Sequence, residues 1–240
     1  MWPAALFVIG VLSGATASVA GFGIGSLLTP ILALRVGMPI AVAAVALPHV
    51  LATALRGWRL RRSIDTSVLR WFGLASVAGS LAGALLIGPT GARALTLILG
   101  GLLVLTGILA LTGLGATRTI PRAAVLPLGA ISGLFGGLAG NQGGMRAVAL
   151  LHFRLAPQAY VATATACALL VDAARTPVYL WRAGTNLVPL WPMIAAAAAG
   201  TLVGTLIGER ILLGLSPSMF RRVVGGVVLG VGVIVLAGAV

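Results

Sequence analysis

The sequence predicts an all-α integral membrane protein with about eight transmembrane helices in two homologous four-span repeats, each with a broken or re-entrant glycine-rich half-helix. Three observations carry this prediction. Hydrophobic residues make up 60% of the chain and charged residues 8%, with a mean hydropathy of +1.14, whereas a soluble domain carries about 25% charged residues. Trp2 to Leu34 runs for 33 residues without a charge, too long for one crossing of about 20 residues and too short for two with a turn. The stretch Gly10 to Pro30 also returns 119 positions later as Gly129 to Ala149.

The net charge of +13 comes from 16 arginines and no lysine, opposed only by Asp65, Asp172 and Glu209. Most arginines fall in the breaks between apolar runs, as the positive-inside rule asks, and not along a basic face that tracks phosphates; nucleic acid is excluded as a partner. A positive interior potential favours anionic over cationic substrates. Cys167 is the single cysteine and reads as a packing residue, with no second thiol for a disulfide or metal cluster. The N-terminus lacks a basic n-region and reads as a retained first span.

In chain order, the awkward length of the first run is resolved by Gly21, Gly23 and Gly25, since glycine lets backbone leave a helix. A span from about Trp2 to Ala20, a glycine break and a half-helix from about Gly25 to Leu34 follow. Arg35 to Pro39 makes a turn, and Ile40 to Leu55 is a span interrupted at Pro48-His49. Arg56, Arg59, Arg61, Arg62 and Arg70 surround Asp65 in a cytoplasmic loop. Spans at Ser67 to Ile87 and Leu95 to Leu111 are separated by the Gly88 to Gly91 turn. These form repeat 1 (residues 1–115), followed by a basic linker (116–122) and repeat 2 (123–240). Repeat 2 holds a span from Ala123 to Leu138, a break at Gly140 to Gly144, a short segment to Phe153, and spans near Gln158 to Val178, Leu187 to Gly208 and Met219 to Ala239. Gly79 with Gly83, and Gly200 with Gly204, are GxxxG helix-packing motifs. With re-entrant short segments the two halves run parallel, with fully crossing ones they are inverted; the positions of the basic loops favour parallel halves.

The chemistry concentrates at the two breaks. A helix restarting after glycine presents unpaired N–H groups and the positive end of its dipole, which suits an anion. Gly21, Gly23 and Gly25 in the first copy, and Gly140, Asn141, Gln142, Gly143 and Gly144 in the second, are the candidate substrate-binding residues. Phe22 stands where the second copy has Asn141, so the site is asymmetric. The alternative is that the glycines only permit close packing. Asp172 and Arg175 lie three apart inside an apolar span, where charge is costly and a functional candidate. Arg175 either touches an anion or neutralises Asp172, or sits near the interface and snorkels. Asp172 either carries a coupling proton or orients Arg175. His49 is a second coupling or gating candidate, with a hydrogen bond to backbone freed by Pro48 as the favoured structural account. Arg146 either faces an anion or reaches the headgroups, and His152 is expected at a membrane boundary. No nucleophile set, paired carboxylates, zinc site or phosphate loop is present in the pattern, so the expectation is no enzyme, no cofactor and no metal.

Gly10-x-x-Ser13-Gly14 leading to Gly21-Phe22-Gly23-x-Gly25 and Pro30, repeated as Gly129-x-x-Ser132-Gly133-x-x-Gly136-Gly137-x-x-Gly140-x-x-Gly143-Gly144, resembles the TauE/SafE sulfite exporters. The resemblance covers essentially the whole chain. It implies a bacterial inner-membrane permease for a small sulfur-containing anion such as sulfite or an organosulfonate, acting as an exporter. Asn141-Gln142 before Gly143-Gly144, and Ala149 in place of a proline equivalent to Pro30, depart from the family pattern. The sequence thus points to a secondary transporter in a lipid bilayer, binding a small anion between two broken helices near mid-membrane, with proton coupling and a homo-oligomer both left open. An anion channel and a non-transporting membrane subunit are the competing readings.

Overall fold

The computed structural model describes residues 1–86, 92–113, 122–143, 146, 149–150, 153, 155–211 and 217–238. The expected turn at Gly88 to Gly91, most of the linker, Gly144, His152 and Arg154 lie outside the described residues. The rest is helical and shows no strand among those residues. The helices are α1 (Trp2–Ala20), α2 (Ile24–Val36), α3 (Met38–Leu60), α4 (Thr66–Leu86), α5 (Ala92–Thr112), α6 (Arg122–Ala139), α7 (Pro157–Ala183), α8 (Trp191–Ile211) and α9 (Pro217–Ala237). Four stretches are long and apolar enough to cross a membrane: Trp2–Ala20, Met38–Ser63, Thr66–Leu86 and Gln158–Arg210, the last comprising both α7 and α8 joined by a 3-10 turn at Gly184–Leu190. This is an all-α membrane protein.

Local chemistry sets the breaks. α1 ends where Gly21 turns left-handed (φ 76°), and Gly23 (φ 143°) restarts the chain as α2. Gly140 (φ 68°) ends α6 in the same way. These backbone angles lie where a Cβ is strained, which is why glycine recurs at the same point of both copies. α2 then folds back beside α1: Gly23 packs on Thr16, and Arg35 near the end of α2 stacks on Trp2 at the start of α1, 5.1 Å from the ring centre. The α1–α2 unit is therefore a helical hairpin with Gly21 at its tip. Asp65 caps α4 by accepting from the Val68 N–H at 2.9 Å, satisfying a free helix-start donor.

α3 corrects one expectation. It runs unbroken through Pro48, and the Pro48 carbonyl accepts a hydrogen bond from Thr201 Oγ1 at 3.4 Å.

Glycine-lined seams set the packing partners. Gly10, Gly14 and Gly204 lie against the α8 or α1 backbone, and a Cβ on Gly204 would collide with the Val11 carbonyl. α4 and α6 meet through Gly79, Gly83, Gly133 and Gly137 in the same manner. The close backbone approach is the one that small residues permit between membrane helices. Contacts advance together along α1 and α8 (Phe7 with Gly200, Val11 with Gly204, Ala15 with Gly208), so these helices are parallel, as are α4 and α6. By contrast α3 and α7 are antiparallel, with His49 on Asp172 and Arg56 on Thr165. α5 and α9 are antiparallel too, with Gly100 on Leu236 and Gly107 on Leu229.

Under the repeat read from the sequence, those directions fit inverted halves better than parallel ones. α1, α3, α4 and α5 run opposite to α6, α7, α8 and α9 respectively, because the α1–α2 hairpin turns back and adds a reversal that a single crossing lacks. Exposed Arg59, Arg61, Arg62, Arg70, Arg210 and Arg222 then gather at one end of the bundle, and Arg35, Arg93 and Arg182 at the other. Arg59 Nε bonds Glu209 at 2.5 Å, tying the α3 and α8 ends on the richer face.

Replacing Gly204 by valine is expected to force α1 and α8 apart and lower stability by about 1–3 kcal/mol, the usual cost of overpacking. Thermal unfolding of the purified protein in detergent measures it. An unchanged midpoint would show that the seam is not closely packed.

Candidate functional site

Two helix tips and two helix midpoints converge on one buried cavity. Gly21 to Gly25 and Gly140 to Gly143 bring the tips, α3 contributes His49 from its middle, and α7 contributes Asp172 and Arg175. Gly25 packs against the Gly140 carbonyl, where a Cβ would stand 2.6 Å from the oxygen. The space open to the centre of a water is about 10 Å³, room for roughly one water molecule.

The amide groups are held in one orientation. Asn141 Oδ1 accepts from the Gly143 N–H and from Ser26 Oγ, each at 3.3 Å. Gln142 Oε1 accepts from Arg146 Nη1 at 3.4 Å. Because these contacts use the oxygens, the amide nitrogens are the free ends. Asn141 Nδ2 and Gln142 Nε2 have no hydrogen-bond partner, although both residues are only 5% exposed. Arg146 adds a third such donor through Nε, while its Nη2 donates to the Gly21 carbonyl at 3.1 Å. The first N–H groups of α2 add the positive end of its dipole from the opposite tip.

Asp172 organises the other wall. Its Oδ1 accepts from Arg175 Nε at 3.0 Å and Nη2 at 2.8 Å, and its Oδ2 accepts from His49 Nδ1 at 2.6 Å. Arg175 Nη1 reaches the Gly136 carbonyl, and Tyr179 Oη reaches the Gly136 and Gly137 carbonyls. The free carbonyl end of the broken α6 is thus capped by Arg175 and Tyr179, as Arg146 caps that of α1.

The predicted residues Gly23, Gly25, His49, Gly140, Asn141, Gln142, Gly143, Asp172 and Arg175 line the cavity together; Gly21 stands at the tip beside it, bound to Arg146. Three expectations change. His49 bonds Asp172 and not the backbone near Pro48. Arg175 is 3% exposed and does not snorkel, and Arg146, also 3% exposed, faces inward and not the headgroups. Phe22 also lines the cavity, packed against Gly143. The inward turn of Arg146 had one signal in the sequence: its place four residues after Gln142, one helical turn on the same face.

The sequence profile of the family Sulfite exporter TauE/SafE matches residues 6–235. The chain belongs to the TauE/SafE sulfite exporter family. No curated protein and no solved structure matches it. TauE/SafE proteins are membrane transporters, and this chain is a multi-pass member with a glycine break on each side of the cavity.

Asp172→Leu removes the carboxylate that pairs with Arg175 and leaves a buried guanidinium without its counter-charge, which costs about 3–5 kcal/mol. Thermal unfolding should show a large drop in the midpoint, and the double variant Asp172→Leu/Arg175→Leu should recover most of it. A single variant as stable as the wild type would show that the pair carries no such load.

Proposed function

We propose that the protein is a secondary transporter that exports a small sulfur-containing anion, sulfite or an organosulfonate, by binding it between the two glycine-broken helices near mid-membrane. The observation that carries this reading is the set of unpartnered donors, Asn141 Nδ2, Gln142 Nε2 and Arg146 Nε, converging on one cavity. Leaving buried donors unpaired costs about 1–3 kcal/mol each, and an oxyanion with several acceptor oxygens satisfies all three at once. Gly21, Gly23, Gly25, Gly140 and Gly143 shape the site. Arg175 binds indirectly, by holding Asp172 and the α6 end in place. Phe22 contributes a wall where the second copy contributes an amide.

In this reading the chain is duplicated, eight spans in two inverted halves (1–115 and 123–240) joined by the 116–122 linker. The exchange of packing partners supports it, since α1 pairs with α8 as α6 pairs with α4. A cavity closed to about 10 Å³ suits an occluded carrier better than an open channel. Transport then requires the two tips to part, on one face at a time. The face rich in arginine is cytoplasmic, in a bacterial inner membrane, and the His49–Asp172 pair is the candidate carrier of a coupling proton.

In proteoliposomes tested with sulfite, thiosulfate, sulfoacetate and taurine, saturable flux with one-for-one exchange is expected for at least one substrate. Asn141→Ala and Gln142→Ala should each lower kcat/KM by about tenfold or more. Flux of no anion, or unaltered variants, would refute the assignment.

Orientation has its own test. In a Cys167→Ala background, an impermeant maleimide added to intact cells should label Thr185→Cys, on the arginine-poor face, and spare Ser67→Cys. The reverse pattern would invert the assigned topology.

A further inference from the structure

The interior carries more positive charge than its own acids answer. Arg56, Arg146 and Arg175 are 1%, 3% and 3% exposed, and Asp172 is the fully buried carboxylate that faces them. Arg175 is paired with it; Arg56 is not. Arg56 stands 119 positions before Arg175, and Thr53 stands where Asp172 would be. Its Nε donates to Thr165 Oγ1 at 2.8 Å, while Nη1, fully enclosed, has no partner. Among the described residues no carboxylate is within ion-pair distance of Arg56: Asp172 holds Arg175 and His49, and Glu209 holds Arg59 through Oε2, its Oε1 being without a partner.

Position gives this unanswered charge a meaning. His49, Thr53 and Arg56 lie on one face of α3 at helical spacing, so Arg56 is about 10 Å from the central cavity along the helix. It sits one turn from the end of α3, beneath exposed Arg59, Arg61 and Arg62. A guanidinium taken out of water without a counter-charge loses several kcal/mol of hydration. An anion lodged there restores it.

We propose that Arg56, with the Thr165 hydroxyl holding its guanidinium in place, forms a second binding position for a small oxyanion, between the arginine-rich face and the central cavity. It is the position an anion occupies before it reaches Asn141 and Gln142, and in that respect it rests on the transport reading above. The first copy lacks the acid that would neutralise Arg56, and the charge left over is what the anion meets.

Sided transport and anomalous diffraction test this together. In oriented proteoliposomes, Arg56→Gln should raise the KM for sulfite offered at the arginine-rich face by about tenfold. The KM at the opposite face should stay within about twofold, and Arg56→Lys, which keeps the charge, should fall closer to the wild type. Crystals of the full chain grown in bromide should show an anomalous peak against the Arg56 guanidinium that Arg56→Gln abolishes. Equal KM changes at both faces, Arg56→Lys as impaired as Arg56→Gln, or no bromide at Arg56 in the wild type would each overturn the proposal. Bromide reads the position whatever anion is carried. A wild type that moves no sulfite yet binds bromide at Arg56 would therefore refute the substrate and spare the site, and sulfite flux without bromide would do the opposite.

Discussion

A helix broken inside hydrocarbon leaves backbone groups that no water reaches, and the interior of this protein is built on that constraint. Gly21 and Gly140 end α1 and α6 in the left-handed conformation, deep in the bundle. The free carbonyls are met by cations and a phenol: Arg146 on Gly21, Arg175 and Tyr179 on Gly136 and Gly137. Each cation brings a charge that must be answered in its turn. Asp172 answers Arg175, and the second oxygen of Asp172 is covered by His49. A backbone problem at two glycines thus propagates into a charged network across α3, α6 and α7.

The same dependence explains why the glycine seams matter beyond packing. The tips meet only because α1 lies against α8, and α6 against α4, at distances that any Cβ would forbid. Those seams are parallel pairs of helices distant in the chain, α1 with α8 and α4 with α6. The hairpin α1–α2 is positioned by α8, and the break after α6 by α4.

How far the sequence disclosed this depended on whether the signal was local. The break was legible, because an uncharged run of 33 residues with glycines at its excess admits few solutions; α1 ends at Ala20 where the arithmetic put it. The amides Asn141 and Gln142 were legible as polar groups beside glycine in an apolar setting, and the structure brings them to the cavity. His49 pairing with Asp172 was not, since the two are 123 residues apart and the nearer proline offered a local partner. Helix direction was less legible for a related reason. Counting arginines per loop ranks topologies only once the number of reversals is known, and the reversal at Gly21 is a property of the tip's geometry. With it in place, Arg210 and Arg222 join Arg59, Arg61 and Arg62 on one face, and the basic bias becomes clearer than parallel halves allowed.

The two sequence copies divide the chemistry between them. Phe22, Gly23, Leu27 and Thr53 in the first copy correspond to Asn141, Gln142, Arg146 and Asp172 in the second. The second copy thus carries the donors and the neutralised pair, and the first carries steric bulk, a helix dipole and an arginine without a counter-charge. Two identical copies would place the same groups symmetrically about the cavity, and an anion would meet the same potential from either face. In the proposed cycle Arg56, without an ion-pair partner and on one side only, makes the approach from the arginine-rich face the more attractive. That asymmetry sets the affinity on each side and not the net direction, because at equilibrium a lower KM on one face is matched by a slower release there. Directional export, if the proposed function holds, would therefore need a gradient of the anion or of a coupled ion. The network around Asp172 is where the fold places a titratable pair against the cation that holds a helix tip, so a proton arriving there would act on the tip and the ligand together.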